Sequence, residues 1–312
     1  MYSHPLTADI QKWWETHGAD HKSEQWQAYL KELQELILVK CNEIGQAHEN
    51  AGRFGMSGAG GCTRRAVLSL LGYEGEPHTG DSLVTFHIGH LLESVPIATL
   101  KVMGYEVEGL QEPIKVDPYM QSYTDGIIRS GPRTDIPYPC LLSVKTNAYK
   151  MSYYNKKAKK FVRNGFPALP FDGVRVKQGS WWCQSQMEMR ATGIPNSMVV
   201  VIAKDIVQAF KNDEWMQSLS FYCELLIEDA ETQRLLDNAW TQAWQRAEDK
   251  AQITDIPPLF YGTEEEFVEL PEPGHTELGW RGPNQDATGS FNPCFGCGFN
   301  AVCEEAEQSM EV

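Results

Sequence analysis

Positive charge is in short supply: 27 Lys and Arg against 42 Asp and Glu leave a formal charge of −15 over 312 residues. That balance excludes a chain coated evenly with the basic surface that sequence-independent nucleic-acid binding uses. No run reads as long and apolar enough to span a membrane, which excludes a helical anchor. Met1 to Asp9 lacks the basic-then-apolar pattern of a secretory signal. A cytoplasmic location is expected, and with it reduced thiols, so the eight cysteines are poor disulfide candidates. No internal repeat is apparent, which excludes a repeat architecture.

Against those absences stand four cysteines in unusual places. Cys294, Cys297 and Cys303 form a C-x2-C-x5-C tail among Gly and Pro, and Cys62 lies far upstream. Thiolates at such spacing suit an iron–sulphur cluster or a four-cysteine zinc site. One shared centre would staple the two ends of a folded domain together. The alternative, unligated surface thiols, is disfavoured because exposed reactive cysteine is usually avoided. Cys41, Cys140, Cys183 and Cys223 sit in apolar or periodic contexts and read as buried small hydrophobes.

The scarce positive charge is also clustered. Lys145 to Lys177 holds nine Lys or Arg and one acid, Asp172. Its densest part is Lys156, Lys157, Lys159, Lys160 and Arg163, interleaved with Tyr153, Tyr154 and Phe161. A Debye length of roughly 8 Å isolates such a patch from distant acids, so it can attract phosphates. A solvated helix face is the competing reading of the run.

Periodicity predicts helices over about Thr7–Thr16, Ser23–Gln46, Cys62–Leu71 and Asp81–Met103, the last kinked at Pro96. Strands are expected at Tyr105–Glu108, Glu112–Val116, Ser122–Arg129 and Cys140–Thr146. Helices return at Ser152–Val162 and Lys177–Thr192, then strands at Ser197–Ala203 and Leu219–Ile227, then a helix over Ala230–Gln252. From Thr254 a Pro-, Gly- and acid-rich segment leads to the last cysteines. The expected class is α/β, a mixed sheet flanked by helices, with a helical extension over 1–55 and the main domain over 56–312.

Polar residues interrupt this core where a metal-dependent phosphodiesterase would need them. Glu93 lies on the long helix in Gly-His-Leu-Leu-Glu, and Asp125 in Tyr-Thr-Asp-Gly-Ile-Ile. Lys145 ends a strand in Leu-Leu-Ser-Val-Lys-Thr, and Gln184 and Gln186 follow on a helix. Carboxylates can hold Mg²⁺ or Mn²⁺ against a phosphate, and a neighbouring Lys can orient or deprotonate water and stabilise negative charge.

In these motifs, in this order, the chain from about Cys62 to Cys303 resembles the PD-(D/E)XK nucleases. More narrowly, it looks like the RecB-like and lambda exonuclease-like branches, and its cysteine frame resembles the iron–sulphur nucleases of CRISPR spacer acquisition and of the AddB type. Cys62-Thr63-Arg64-Arg65, followed by Leu68, Leu70 and Leu71-Gly72, is similar to their Cys-x-Arg helix. The resemblance implies a restriction-endonuclease-like core closed by a four-iron four-sulphur cluster on Cys62, Cys294, Cys297 and Cys303. It implies Glu93, Asp125 and the Val144 carbonyl as ligands of Mg²⁺ or Mn²⁺, with Lys145 catalytic and Gln184 a helper. DNA, single-stranded or with resected ends, is the implied substrate, tracked by Arg64, Arg65 and the Lys156–Arg163 cluster. A recombination or CRISPR-type protein partner is implied as well. His87 and His90 share the helix of Glu93 and read equally as surface histidines.

One position departs from the family. Ser143 stands two residues before Lys145, where an acid is expected, so one charge holding the cation is missing. The site is weakened or dead, the chain is an inactivated variant, or another acid substitutes. Glu188, one turn beyond Gln184 on the same helix face, is the candidate substitute. A catalytically inactive subunit that binds DNA or a partner is the alternative function.

Overall fold

Met198 to Ala203 form an unbroken apolar run, buried throughout, so both faces of the sheet that contains it must be covered. A computed structural model describes residues 2–44, 54–60, 63–73, 75, 80–147, 153–155, 160–162, 166, 169–203 and 220–249. It opens with helices α1 (Leu6–His17) and α2 (Glu24–Ile44), a short strand β1 (Phe54–Gly55), and helices α3 (Thr63–Leu70) and α4 (Gly80–Val102). Strands β2 (Glu106–Glu108), β3 (Pro113–Lys115), β4 (Met120–Tyr123), β5 (Gly126–Ser130) and β6 (Cys140–Asn147) follow. A hairpin of β7 (Tyr153–Asn155) and β8 (Lys160–Val162) leads to α5 (Leu169–Lys177) and α6 (Gly179–Thr192). Strands β9 (Asn196–Ala203) and β10 (Phe221–Ile227) and helix α7 (Ala230–Glu248) complete the described fold.

The central sheet runs β10-β9-β6-β5-β2, with β6 and β9 parallel and every other pairing antiparallel. The architecture is therefore mixed α/β. Because side chains alternate along a strand, β6 and β9 divide cleanly. Leu142, Val144, Met198, Val200 and Ile202 pack with Leu6, Ile10 and Trp13 of α1 and Ile97 and Leu100 of α4. Val199, Val201 and Ala203 pack on the other side with Trp182, Cys183 and Met187 of α6 and Trp240 of α7. Leu141 joins Ile127 and Met189 of α6, so Ser143 and Lys145 fall in the same alternation, toward α6. The helices within 1–55 belong to this core: Cys223 of β10 donates its backbone N–H to Thr7 Oγ1 at 2.9 Å.

Three expectations need correction. Ser122–Arg129 is two strands in two sheets, since β4 pairs with β1 and β3 while β5 joins the central sheet. Thr124 Oγ1 donates to the Gly126 carbonyl at 2.8 Å and accepts its N–H at 2.9 Å, pinching the chain at Asp125. Ser152–Val162 contains an antiparallel hairpin, with Tyr153 opposite Val162 and Tyr154 opposite Phe161, in place of the helix. Aromatic and β-branched residues favour that pairing, and the lysines between them masked the period of two. Helix α4 contains Pro96 within its length. It is also, among the described residues, the one helix long and apolar enough to cross a membrane by length and composition, over Leu83–Val102. That corrects the reading that no run qualifies, and its second half is core.

Candidate active site

Helices α2 and α4 pack antiparallel, in a register read from their ion pairs. Glu32 meets Lys101 and Lys40 meets Glu93, each at 2.9 Å, two turns apart on both helices. Between them Leu36 and Ile97 are buried in the shared core. Lys40 extends the apolar stripe of Tyr29, Leu33 and Leu36, and the Lys40 side chain is only 6 % exposed. Glu93 is therefore presented by α4 with a cation from α2 already beside it. His90 Nδ1 lies 3.6 Å from the same Glu93 oxygen, a charge contact too long for a hydrogen bond. Burial pushes the Glu93 carboxyl up, but His90 and Lys40 outweigh it and hold it below the usual range. The contact with Glu93 raises the His90 imidazole in turn.

Asp125 sits in the break between β4 and β5. Its Oδ2 accepts the Val144 backbone N–H at 2.8 Å, which ties it to the middle of β6. Burial pushes its carboxyl up to about 6, Lys145 and Lys40 pull it down, and Glu93 pushes it further up. The Asp125 carboxyl thus feels Glu93 and both lysines, and Glu93 is paired with Lys40.

On the α6 side, Lys145 Nζ donates to Gln184 Oε1 at 3.3 Å. Gln184 Nε2 donates to Glu188 Oε1 at 2.7 Å, and Ser122 Oγ donates to the same oxygen at 2.8 Å. Glu188 is buried and its carboxyl is raised by that burial, with Lys145 and the two hydrogen bonds opposing. The structure thus joins Asp125 to Val144 and Lys145 to Gln184 by hydrogen bonds, and pairs Glu93 with Lys40. Sequence reading missed Lys40, although a lysine ending the apolar stripe of an amphipathic helix was a usable signal.

Two roles change. Among the described residues no three His, Cys, Asp or Glu side chains gather as a metal centre. Glu188 therefore does not join Glu93 and Asp125 as a third ligand. It anchors the amide that holds Lys145. Ser143 is buried in β6 and supplies no charge. Gln186 is structural, donating to the Ile227 carbonyl at 3.0 Å and accepting the Asp229 N–H at 2.8 Å. The donor set that a cation would use is two carboxylates and the Val144 carbonyl. These are hard oxygens, which suit Mg²⁺ or Mn²⁺ completed by water and phosphate. The residues fit such an ion.

Cys62, Cys294, Cys297 and Cys303 lie outside the described residues, as do Lys156, Lys157, Lys159 and Arg163 and the side chains of Arg64 and Lys160. Arg65 is exposed on α3. Of the remaining cysteines, Cys140, Cys183 and Cys223 are buried, but Cys41 is exposed on α2, correcting its reading as a core residue. Burial pushes the Cys140 and Cys223 thiols up to about 12, which suits inert packing.

No family model and no curated protein matches the chain. Among solved structures it is similar to LHK-Exo in complex with dAMP, at 12% identity and a TM-score of 0.39, covering 70% of this chain and 93% of that one. It is similar as well to LHK-Exo described as an alkaline exonuclease from Laribacter hongkongensis, at 12% identity and a TM-score of 0.39, covering 64% and 90%.

Proposed function

We propose that the chain is a metal-dependent DNA nuclease of the PD-(D/E)XK type, acting as an exonuclease or end-processing enzyme. One observation supports this reading: Asp125, tied to β6 through the Val144 N–H, feels the charges of Lys145, Glu93 and Lys40. Charged groups in and beside an apolar sheet need such a reason. Glu93, Asp125 and the Val144 carbonyl would hold Mg²⁺ or Mn²⁺, which when bound would supply Lewis-acid stabilisation of the phosphate. Lys145, aimed by Gln184, orients the attacking water and stabilises charge on the scissile phosphate oxygens. Glu188 and Ser122 keep Gln184 in place.

A structural four-iron four-sulphur cluster on Cys62, Cys294, Cys297 and Cys303 belongs to the same reading, on sequence spacing alone, as does DNA tracking by the lysine-rich hairpin. End-labelled DNA should be cut with Mg²⁺ or Mn²⁺ and spared with EDTA, and the purified protein should be brown. Cleavage that survives EDTA, or none with any divalent ion, rejects the enzyme reading. Ser143 favours a second reading, a DNA- or partner-binding subunit with a weakened site: two acids hold a cation less firmly than three. Under it, Ser143→Glu should gain cleavage that the native chain lacks.

A further inference from the structure

The ammonium of Lys40 is unusual for its origin. It comes from α2, outside the strands and helices expected to carry the chemistry, and its side chain is 6 % exposed. It stands 2.9 Å from Glu93 Oε2 and also acts on Asp125. A cation held against Glu93 and felt by Asp125 offsets the charge that a divalent ion there would offset.

We propose that Lys40 is a built-in counter-cation that competes with the divalent ion for Glu93, so that the docking of α2 on α4 sets how tightly the metal site loads. This rests on the nuclease reading above and extends it to the N-terminal helices. A structural ion pair would behave otherwise. The Glu32–Lys101 pair, at the same distance two turns away, is 28–30 % exposed on its side chains. At Lys40 a fixed positive charge a few Å from a divalent ion, in a medium of effective dielectric ~20, repels it by several RT. Apo protein gains, because the partly buried Glu93 carboxylate keeps a close full positive charge beside it. Metal-loaded protein loses, because one favourable contact of Glu93 must weaken.

The direction of the effect makes this testable. Damage to the fold lowers metal affinity, whereas removal of a competing charge raises it. The full chain is titrated with Mn²⁺, free ion is counted by electron paramagnetic resonance, and melting is followed with and without Mn²⁺. Lys40→Met and Lys40→Gln are both expected to bind Mn²⁺ at least tenfold more tightly than the native chain, and Lys40→Arg within twofold of it. The neutral variants should also melt lower in EDTA and gain more on adding Mn²⁺. Should Lys40→Met fail to fold, Lys40→Gln decides. Equal or weaker binding in the folded neutral variants overturns the proposal while leaving the nuclease reading standing. Mn²⁺ binding by Lys40→Met with none by the native chain supports it. If Asp125→Asn binds Mn²⁺ as well as the native chain does, the ion sits elsewhere, and both readings fall.

Discussion

The two ion pairs between α2 and α4 have the same length and the same helix spacing but differ in depth. Glu32–Lys101 is part-exposed at the outer end of the helix pair, and its neighbours are solvent and the flanks of the core. Lys40–Glu93 is nearly sealed, and its neighbours are a second acid and a half-exposed histidine. A surface pair contributes ~0–1 kcal/mol. A buried pair is costly to assemble and more costly to break, so its retention points to a role beyond register. Depth, not distance, separates the scaffold rung from the site rung.

The sharpest test of that contrast is catalytic. Glu93→Gln should cut the rate of DNA cleavage by roughly 10²-fold or more, since a metal-site carboxylate bears on several kcal/mol of charge stabilisation. Glu32→Gln should leave the rate within about twofold, the size expected of an exposed pair. Equal losses in the two variants would erase the distinction. Stability should divide the rungs next. In EDTA, Lys40→Met should cost about 3 kcal/mol in urea unfolding, and Lys101→Met less than about 1 kcal/mol, shrinking further with salt.

A pH scan of the metal-free protein reads the buried end by another route. Asp125 has a folded pKa of about 6, above the unfolded value of about 3.9. The folded chain holds that proton more tightly, so the group's stabilisation is complete below about pH 4 and is lost as pH rises through about 6. Unfolding free energy should fall across that window by at most about 3 kcal/mol, and Asp125→Asn should remove the step. A flat native profile would place Asp125 in water. The smallest effect should come from Glu188→Gln, which keeps an acceptor for Gln184 and Ser122. Cleavage should change by less than about threefold, within the span of one ordinary hydrogen bond. A much larger loss would return Glu188 to the role of a metal-binding acid.

Much of the fold was legible because it is written in local period. The runs read as α1, α2, α4, β6, β9, β10 and α7 start and stop within a few residues of the observed elements. The failures share a cause. Tyr153 to Val162 mixes lysines into a strand pattern, and only cross-strand pairing of Tyr154 with Phe161 selects the hairpin. The split at Asp125 depends on Thr124 bonding Gly126 on both sides, a closure with no period to reveal it. Helix α5 was not foreseen at all; Gly173, at a φ of 73°, breaks its regularity from within.

What the chain determined alone was its inventory: a two-sided apolar strand, a break beside Asp125-Gly126, an acid on a long helix and a lysine at a strand end, each imposed by side-chain chemistry and spacing. Only the folded arrangement decided which of these meet. Lys40 reached Glu93 because two helices far apart in sequence pack antiparallel, and Glu188 became a support for Gln184 because α6 turns it toward Ser122. Partnership between distant charges is a matter of packing geometry, and packing is not a local property of sequence.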